Sequence, residues 1–213
     1  MERAWEMQQE IFRAVKASVR AGMSETQVAA VIDRCGYPWQ GDLLSGERTA
    51  EVEGSFTDRV LQPGDPLLLD LQLWDGRCWS DITRTFFVEW GSDPARRAFE
   101  AVSAAIGTAE KRLAPGVTGE ELFDTLQAAL PEEGRFSHHG GHLIGAEPLE
   151  QPQFYPGATE PLPIGTRITL EPGLYFPGRF GIRLENNYEI TEQGFLPLFS
   201  DLLPIDEYLL KGI

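Results

Sequence analysis

The sequence predicts an α+β fold made of two similar halves, each a helix pair followed by strands, folded about a shared central sheet. Three observations predict it: a repeated pair of amphipathic helices, a repeated strand ending in a carboxylate, and a second acid at similar spacing in both halves. From Glu2 to Ala21, Trp5, Phe12, Val15 and Val19 recur at helical spacing, and Gly22 closes the segment. "SETQ" (Ser24–Gln27) then reads as a capping box, with the Ser hydroxyl and the Gln amide satisfying the first free N–H groups of a helix bearing Val28 and Ile32. A shift of 94 residues repeats the pattern. Asp93 is the expected N-cap before Pro94, and Phe99, Val102, Ile106, Ala109 and Leu113 form the apolar stripe. Gly116 and a second capping box, "TGEE" (Thr118–Glu121), open a helix with Leu122 and Leu126.

The strands repeat as well. "GDPLLLD" (64–70) and "GTRITLE" (165–171) share a turn glycine, a buried-type apolar run and a final acid, Asp70 or Glu171. Asp81 in "WSDITRTFFV" and Glu185 in "GIRLENNYEI" follow 11 and 14 residues later on strand-like stretches. The chain therefore reads as one domain over residues 1–213, with half-repeats of about 1–91 and 92–213. Packing the halves about a pseudo-twofold axis would bring four carboxylates together.

Composition narrows the partners. Eighteen Lys and Arg against 33 Asp and Glu give a formal charge of −15, which argues against nucleic acid or an anionic membrane as partner. Two cysteines, Cys35 and Cys78, are too few for a disulfide framework and suit a reducing cytosol. The first residues are charged and amphipathic, unlike a signal peptide, and no apolar run reaches membrane-span length. The expectation is a cytoplasmic protein.

Four buried carboxylates would repel strongly unless a cation joined them. Two divalent ions would offset that cost and would also form a hydrolytic unit. The histidines, His138, His139 and His142, lie within five residues of one another. His142, beside Gly140 and Gly141, is the expected nitrogen donor. An oxygen-rich set with one imidazole suits Mn²⁺, Co²⁺, Zn²⁺ or Fe²⁺.

"LLLDLQLWDGRCWSDITRTF", "GGHLIG", "TLEPGLYF" and "GIRLENN" together resemble the metallopeptidases of the pita-bread fold, the superfamily of aminopeptidase P, prolidase, methionine aminopeptidase and creatinase. The resemblance spans essentially the whole chain, as a catalytic domain alone. It implies a curved, mainly antiparallel sheet and two metal ions held by Asp70, Asp81, His142, Glu171 and Glu185. It implies hydrolysis of Xaa-Pro or other short peptides by a metal-bridging hydroxide, with Glu171 as general base. Arg183, two residues before Glu185, resembles the prolidase and aminopeptidase P branch, where this Arg pairs with the carboxylate at the Asp81 position. The resemblance places His138 among catalytic and substrate-binding groups, on the proline side of the pocket. His139 reads as structural or exposed, and Trp74, Trp79 and Tyr175 as core packing.

Two departures bear on activity. Leu149 stands where relatives carry a further histidine, and Glu53, in "TAEVEG", stands near the place of another. Glu53 is therefore read as a substrate-binding group able to hold an amine. Besides the exopeptidase, two readings stay open: a pita-bread hydrolase of another small substrate, and a catalytically impaired, peptidase-like binding protein. A homodimer is expected.

Overall fold

The computed structural model describes residues 2–199 and 204–211; residues 1, 200–203 and 212–213 of the expected 1–213 unit lie outside the described residues. Helices α1 (Glu2–Ser18) and α2 (Glu25–Asp33) precede β1 (Trp39–Ser45), a short 3₁₀ turn (Gly46–Glu51), β2 (Pro66–Trp74) and β3 (Trp79–Val88). The second half follows with α3 (Asp93–Glu110), α4 (Gly119–Ala129), β4 (His142–Leu143), β5 (Glu150–Gln153) and β6 (Arg167–Leu170). The chain continues through β7 (Gly173–Phe176), β8 (Phe180–Arg183), β9 (Asn186–Thr191), β10 (Gly194–Phe199) and, after a second 3₁₀ turn at Ile205–Tyr208, β11 (Leu209–Leu210).

The caps form as their chemistry dictates. Ser24 and Thr118 each accept from the backbone three residues on, while the side chains of Gln27 and Glu121 reach back to the cap N–H. The α3 cap differs from expectation: Ser92, not Asp93, holds the extended cap position and accepts from Ala95, and Asp93 is the first helical residue. A seryl hydroxyl one residue earlier competes for the same free N–H groups, and sequence spacing does not rank the two.

The repeat extends to the hydrogen bonds between segments. Gly22 (φ +86) and Gly116 (φ +89) both turn the chain left-handed after a helix, a conformation a Cβ disfavours. The Gly22 N–H then donates to Leu61 O and the Gly116 N–H to Leu162 O, each at 2.9 Å. The return bonds, Leu61 to Met23 O and Leu162 to Val117 O, are both 2.8 Å.

One sheet has the order β1-β2-β3-β11 and another the order β10-β9-β6-β4-β5, with β7 and β8 as a separate antiparallel ribbon. The core orders β1-β2-β3 and β4-β6-β9 correspond, and all their pairings are antiparallel. The halves meet where β3 faces the residues of β8 and the start of β9. Glu185 N donates to Thr83 O (3.0 Å), Thr85 Oγ1 to Arg183 O (2.8 Å), and Asn187 Nδ2 to Asp81 O (2.7 Å). Trp5 of α1 crosses the seam, its indole N–H donating to Asn187 Oδ1 at 3.0 Å. Beneath lies a continuous apolar core of both helix pairs and the strand faces, including Ile11, Val15, Leu69, Leu71, Phe99, Val102, Ile106 and Leu170. This seam is where the acidic residues converge.

Candidate metal centre

Strand β2 carries Asp70 in its interior and not at its end as expected, because pairing with β1 and β3 continues to Trp74. The two-residue period of strands then builds two rows across the first sheet. Asp42, Asp70 and Thr83 lie opposite one another in one row, and Gln40, Gln72 and Asp81 in the next. In the second row Gln40 Nε2 donates to Gln72 Oε1 (2.8 Å) and Gln72 Nε2 to Asp81 Oδ2 (2.7 Å). Gly41 lies so close to β2 that a Cβ there would collide with the Asp70 carbonyl oxygen. The second half supplies Glu171 just after β6, Glu185 between β8 and β9, and His142 at the start of β4. Gly141 serves a close approach: a Cβ at that position would strike the Thr169 carbonyl.

A cavity of about 220 Å³ is lined by Asp42, Glu53, Asp70, Gln72, Asp81, His138, His139, His142, Leu149, Glu171 and Arg183. Glu185 lies behind this lining, 1% exposed, and accepts from Thr83 Oγ1 at 2.9 Å. Ligand atoms of Asp81, His142 and Glu185 lie within 4.8 Å of one another. His142 Nε2 is 3.4 Å from Asp81 Oδ2 and 3.5 Å from Glu171 Oε1. Its other nitrogen, Nδ1, is 2.8 Å from Leu143 O. A carbonyl only accepts, so Nδ1 carries the proton and the Nε2 lone pair faces the acids in the neutral ring.

The donor set fits a divalent cation. Asp81 Oδ1 and Glu185 Oε1 are buried without a hydrogen-bond partner among the described residues, an arrangement costly unless positive charge joins it. Burial, then repulsion from neighbouring carboxylates, pushes Asp81 and Glu185 well above the usual carboxylate range. Burial would lower His142, but Asp81 and Glu171 outweigh it and hold the imidazole at about 9. Glu171 is likewise opposed by burial, yet His139 and His142 bring it down to about 2. Such a set is driven to take up protons or a cation at neutral pH.

Arg183 corrects an expectation. It pairs with Asp70 (Nη2 to Oδ2, 2.6 Å) and Asp42 (3.3 Å), and not with Asp81. The reason is register: Asp42 and Asp70 share the row that faces β8, while Asp81 lies in the next row, held by Gln72. The guanidinium also donates to Val52 O (2.8 Å), Tyr175 Oη (2.9 Å) and Thr83 Oγ1 (3.3 Å).

The other residues singled out in the sequence divide by position. Glu53 and Leu149 line the cavity at its exposed rim. His138 donates from Nδ1 to His139 O (2.8 Å), and its Nε2 lies 2.9 Å from Tyr175 Oη. Arg183 donates to the same phenol, so the phenol proton is directed at His138 and both ring nitrogens are engaged. Burial holds His138 down at about 4, so the ring is neutral. Tyr175, read as core packing, is buried and links Arg183 to His138. His139, read as structural or exposed, lines the cavity with Nδ1 3.2 Å from Glu171 Oε1. Asp42 and Gln72 were also missed. Their signal was the alternation along β1 and β2, which places them beside Asp70 and Asp81 only once strand register is known.

Known proteins resemble this chain in sequence and in fold. Residues 1–192 match the profile of metallopeptidase family M24. The Xaa-Pro dipeptidase of Pyrococcus furiosus is 30% identical over 204 residues, covering 91% of this chain and 59% of the relative. The crystal structure of an X-Pro aminopeptidase from Thermotoga maritima superposes with a TM-score of 0.88 at 30% identity, covering 95% of this chain and 60% of that one. Dipeptidase PepE from Mycobacterium ulcerans gives a TM-score of 0.86 at 30% identity, covering 93% and 56%. The chain thus spans about three-fifths of the length of these proteins. The fold is the pita-bread fold of these peptidases. No helix among the described residues is long and apolar enough to cross a membrane. The chain belongs to metallopeptidase family M24.

Proposed function

We propose that this chain is a dinuclear metal-dependent exopeptidase acting on Xaa-Pro or other short peptides, working as one catalytic unit. The observation that carries the reading is the gathering of Asp70, Asp81, His142, Glu171 and Glu185 at the seam, where Asp81 Oδ1 and Glu185 Oε1 are buried without a hydrogen-bond partner among the described residues. Two divalent ions (Mn²⁺, Co²⁺, Zn²⁺ or Fe²⁺), when bound by these five residues, would supply a hydroxide nucleophile near neutral pH and a Lewis acid for the carbonyl.

The chain's own groups do the rest. Glu171, backed by Thr169 Oγ1 at 3.1 Å, is placed to take the proton from the attacking water and pass it to the leaving nitrogen. His138, neutral and fixed from both sides, forms a rigid wall of the pocket. Glu53 at the rim offers a carboxylate to the substrate's free amine. The cavity, about 220 Å³, is smaller than the roughly 300–1,000 Å³ typical of drug-sized ligands, which favours a short peptide. The relatives named as Xaa-Pro peptidases support the same substrate class.

Purified protein loaded with Mn²⁺ or Co²⁺ should release free amino acids from Xaa-Pro dipeptides or Xaa-Pro-Xaa tripeptides, and a chelator should abolish the release. An apolar Leu149 and an anionic Glu53 on the rim favour, as the second reading, a binding protein of impaired activity. Metal-saturated protein that binds these peptides without cleaving them would establish that reading in place of the first.

A further inference from the structure

The acids of the first sheet are held in two different ways. In one row a cation does it: Arg183 reaches Asp70 at 2.6 Å and Asp42 at 3.3 Å. In the next row neutral amides do it. Gln40, Gln72 and Asp81 are direct partners across β1, β2 and β3, and each amide donates to the next side chain, at 2.8 and 2.7 Å. Asn187 fixes the main chain of Asp81 from the other half, accepting from its N–H (3.2 Å) and donating to its carbonyl (2.7 Å).

The amide row has one direction. A ligating carboxylate is ionised and only accepts, so the Gln72 amide turns its N–H toward Asp81 Oδ2 and its carbonyl outward. Gln40, exposed on β1, meets that carbonyl with an N–H and opposes the flipped orientation. The two oxygens of Asp81 are thereby told apart: Oδ2 is taken, and Oδ1 stays buried without a hydrogen-bond partner among the described residues. Glu185 is treated alike, with Thr83 Oγ1 on Oε2 and Oε1 left over. The kind of donor matters. A guanidinium beside Asp81 would offset its charge and compete with a cation, whereas an amide orients the oxygen and leaves the charge in place. The amide also keeps its protons at any working pH, so the contact does not depend on titration.

We propose that Gln72 is a positioning residue of the metal centre: it fixes the rotation of the Asp81 carboxylate so that Oδ1 is offered to a divalent ion, and Gln40 holds the Gln72 amide in that orientation. The assignment rests on the metal-dependent reading above. Gln72 lines the cavity beside Asp81 and acts through it. Loss of such a partner behind a ligand costs about 10–100-fold in metal affinity.

The test compares the full chain as wild type, Gln72→Met (similar in length, without the amide), Gln40→Leu and the double variant. Two quantities are read. One is the Mn²⁺ affinity of metal-stripped protein, from the paramagnetic resonance signal of free Mn²⁺. The other is the visible absorption of Co²⁺-loaded protein, which follows the arrangement of the ligands. Gln72→Met should bind Mn²⁺ about 10–100-fold more weakly and shift the Co²⁺ bands. Gln40→Leu, at an exposed strand position, should weaken Mn²⁺ binding by a smaller factor, and that loss should vanish in the Gln72→Met background. Wild-type affinity in Gln72→Met, or weaker binding with unchanged Co²⁺ bands, overturns the positioning role. If Gln72→Met does not fold, Gln40→Leu decides alone, and wild-type affinity there overturns the proposal. Wild-type protein that takes up neither ion overturns the metal-dependent reading itself, and the assignment with it; a metal-binding wild type confines any failure to the two glutamines.

Discussion

Glu171→Gln should lower kcat for peptide hydrolysis by about 10³-fold or more, since proton transfer alone contributes about 10²–10⁴-fold. Glu171 lies where β6 ends, its backbone N–H donating to Gly140 O at 3.0 Å and its Oε1 accepting from Thr169. That anchoring fixes the carboxylate between His139 and His142. Gln is nearly isosteric, so packing survives, but the amide cannot take a proton from water and binds a divalent ion weakly. Steady-state kinetics at saturating Mn²⁺ would read the effect. A variant within tenfold of wild type removes Glu171 from the role of general base.

Arg183→Met should destabilise the fold by about 3–5 kcal/mol, the cost of breaking a buried ion pair from one side. Arg183 is 3% exposed and joins Asp42 and Asp70, two acids directly opposite each other on β1 and β2. Without the guanidinium these acids repel across the strand pair, and Val52 O and Tyr175 Oη each lose a donor. Replacing Asp42 as well, by Asn, should recover part of the loss, because the remaining charge on Asp70 then faces a neutral neighbour. Urea unfolding of the single and double variants measures both. An Arg183→Met protein as stable as wild type would show that the Asp42–Asp70 row tolerates its charge without this bridge.

The parts of the fold visible in the sequence were those set by local rules. Capping at Ser24 and Thr118 depends on residues three apart, and the apolar stripes of α1 and α3 follow the helical period. The repeated run of glycine, buried strand and acid marked both Asp70 and Glu171, although β2 runs on past Asp70 while β6 ends just before Glu171. What lay hidden depends on pairing between distant segments. Asp42 gains its meaning from the β1–β2 register, and Arg183 selects Asp70 over Asp81 because of the row it faces. The direction of three neighbouring histidines is likewise fixed by a loop held between Phe154, Thr169 and Tyr175 and not by spacing, so sequence alone did not single out His139. Tyr175 read as an ordinary buried aromatic, because nothing local shows that its hydroxyl meets Arg183 eight residues later.

The central claim is that acids from the two halves clasp divalent cations. Metal content per chain after Mn²⁺ saturation and removal of free ion, measured by plasma mass spectrometry on wild type and on Asp81→Asn and His142→Ala, tests it most directly. About two ions per wild-type chain and a clear loss in both variants are expected. Wild-type protein that retains no Mn²⁺, Co²⁺, Zn²⁺ or Fe²⁺, or variants that retain as much as wild type, would contradict it.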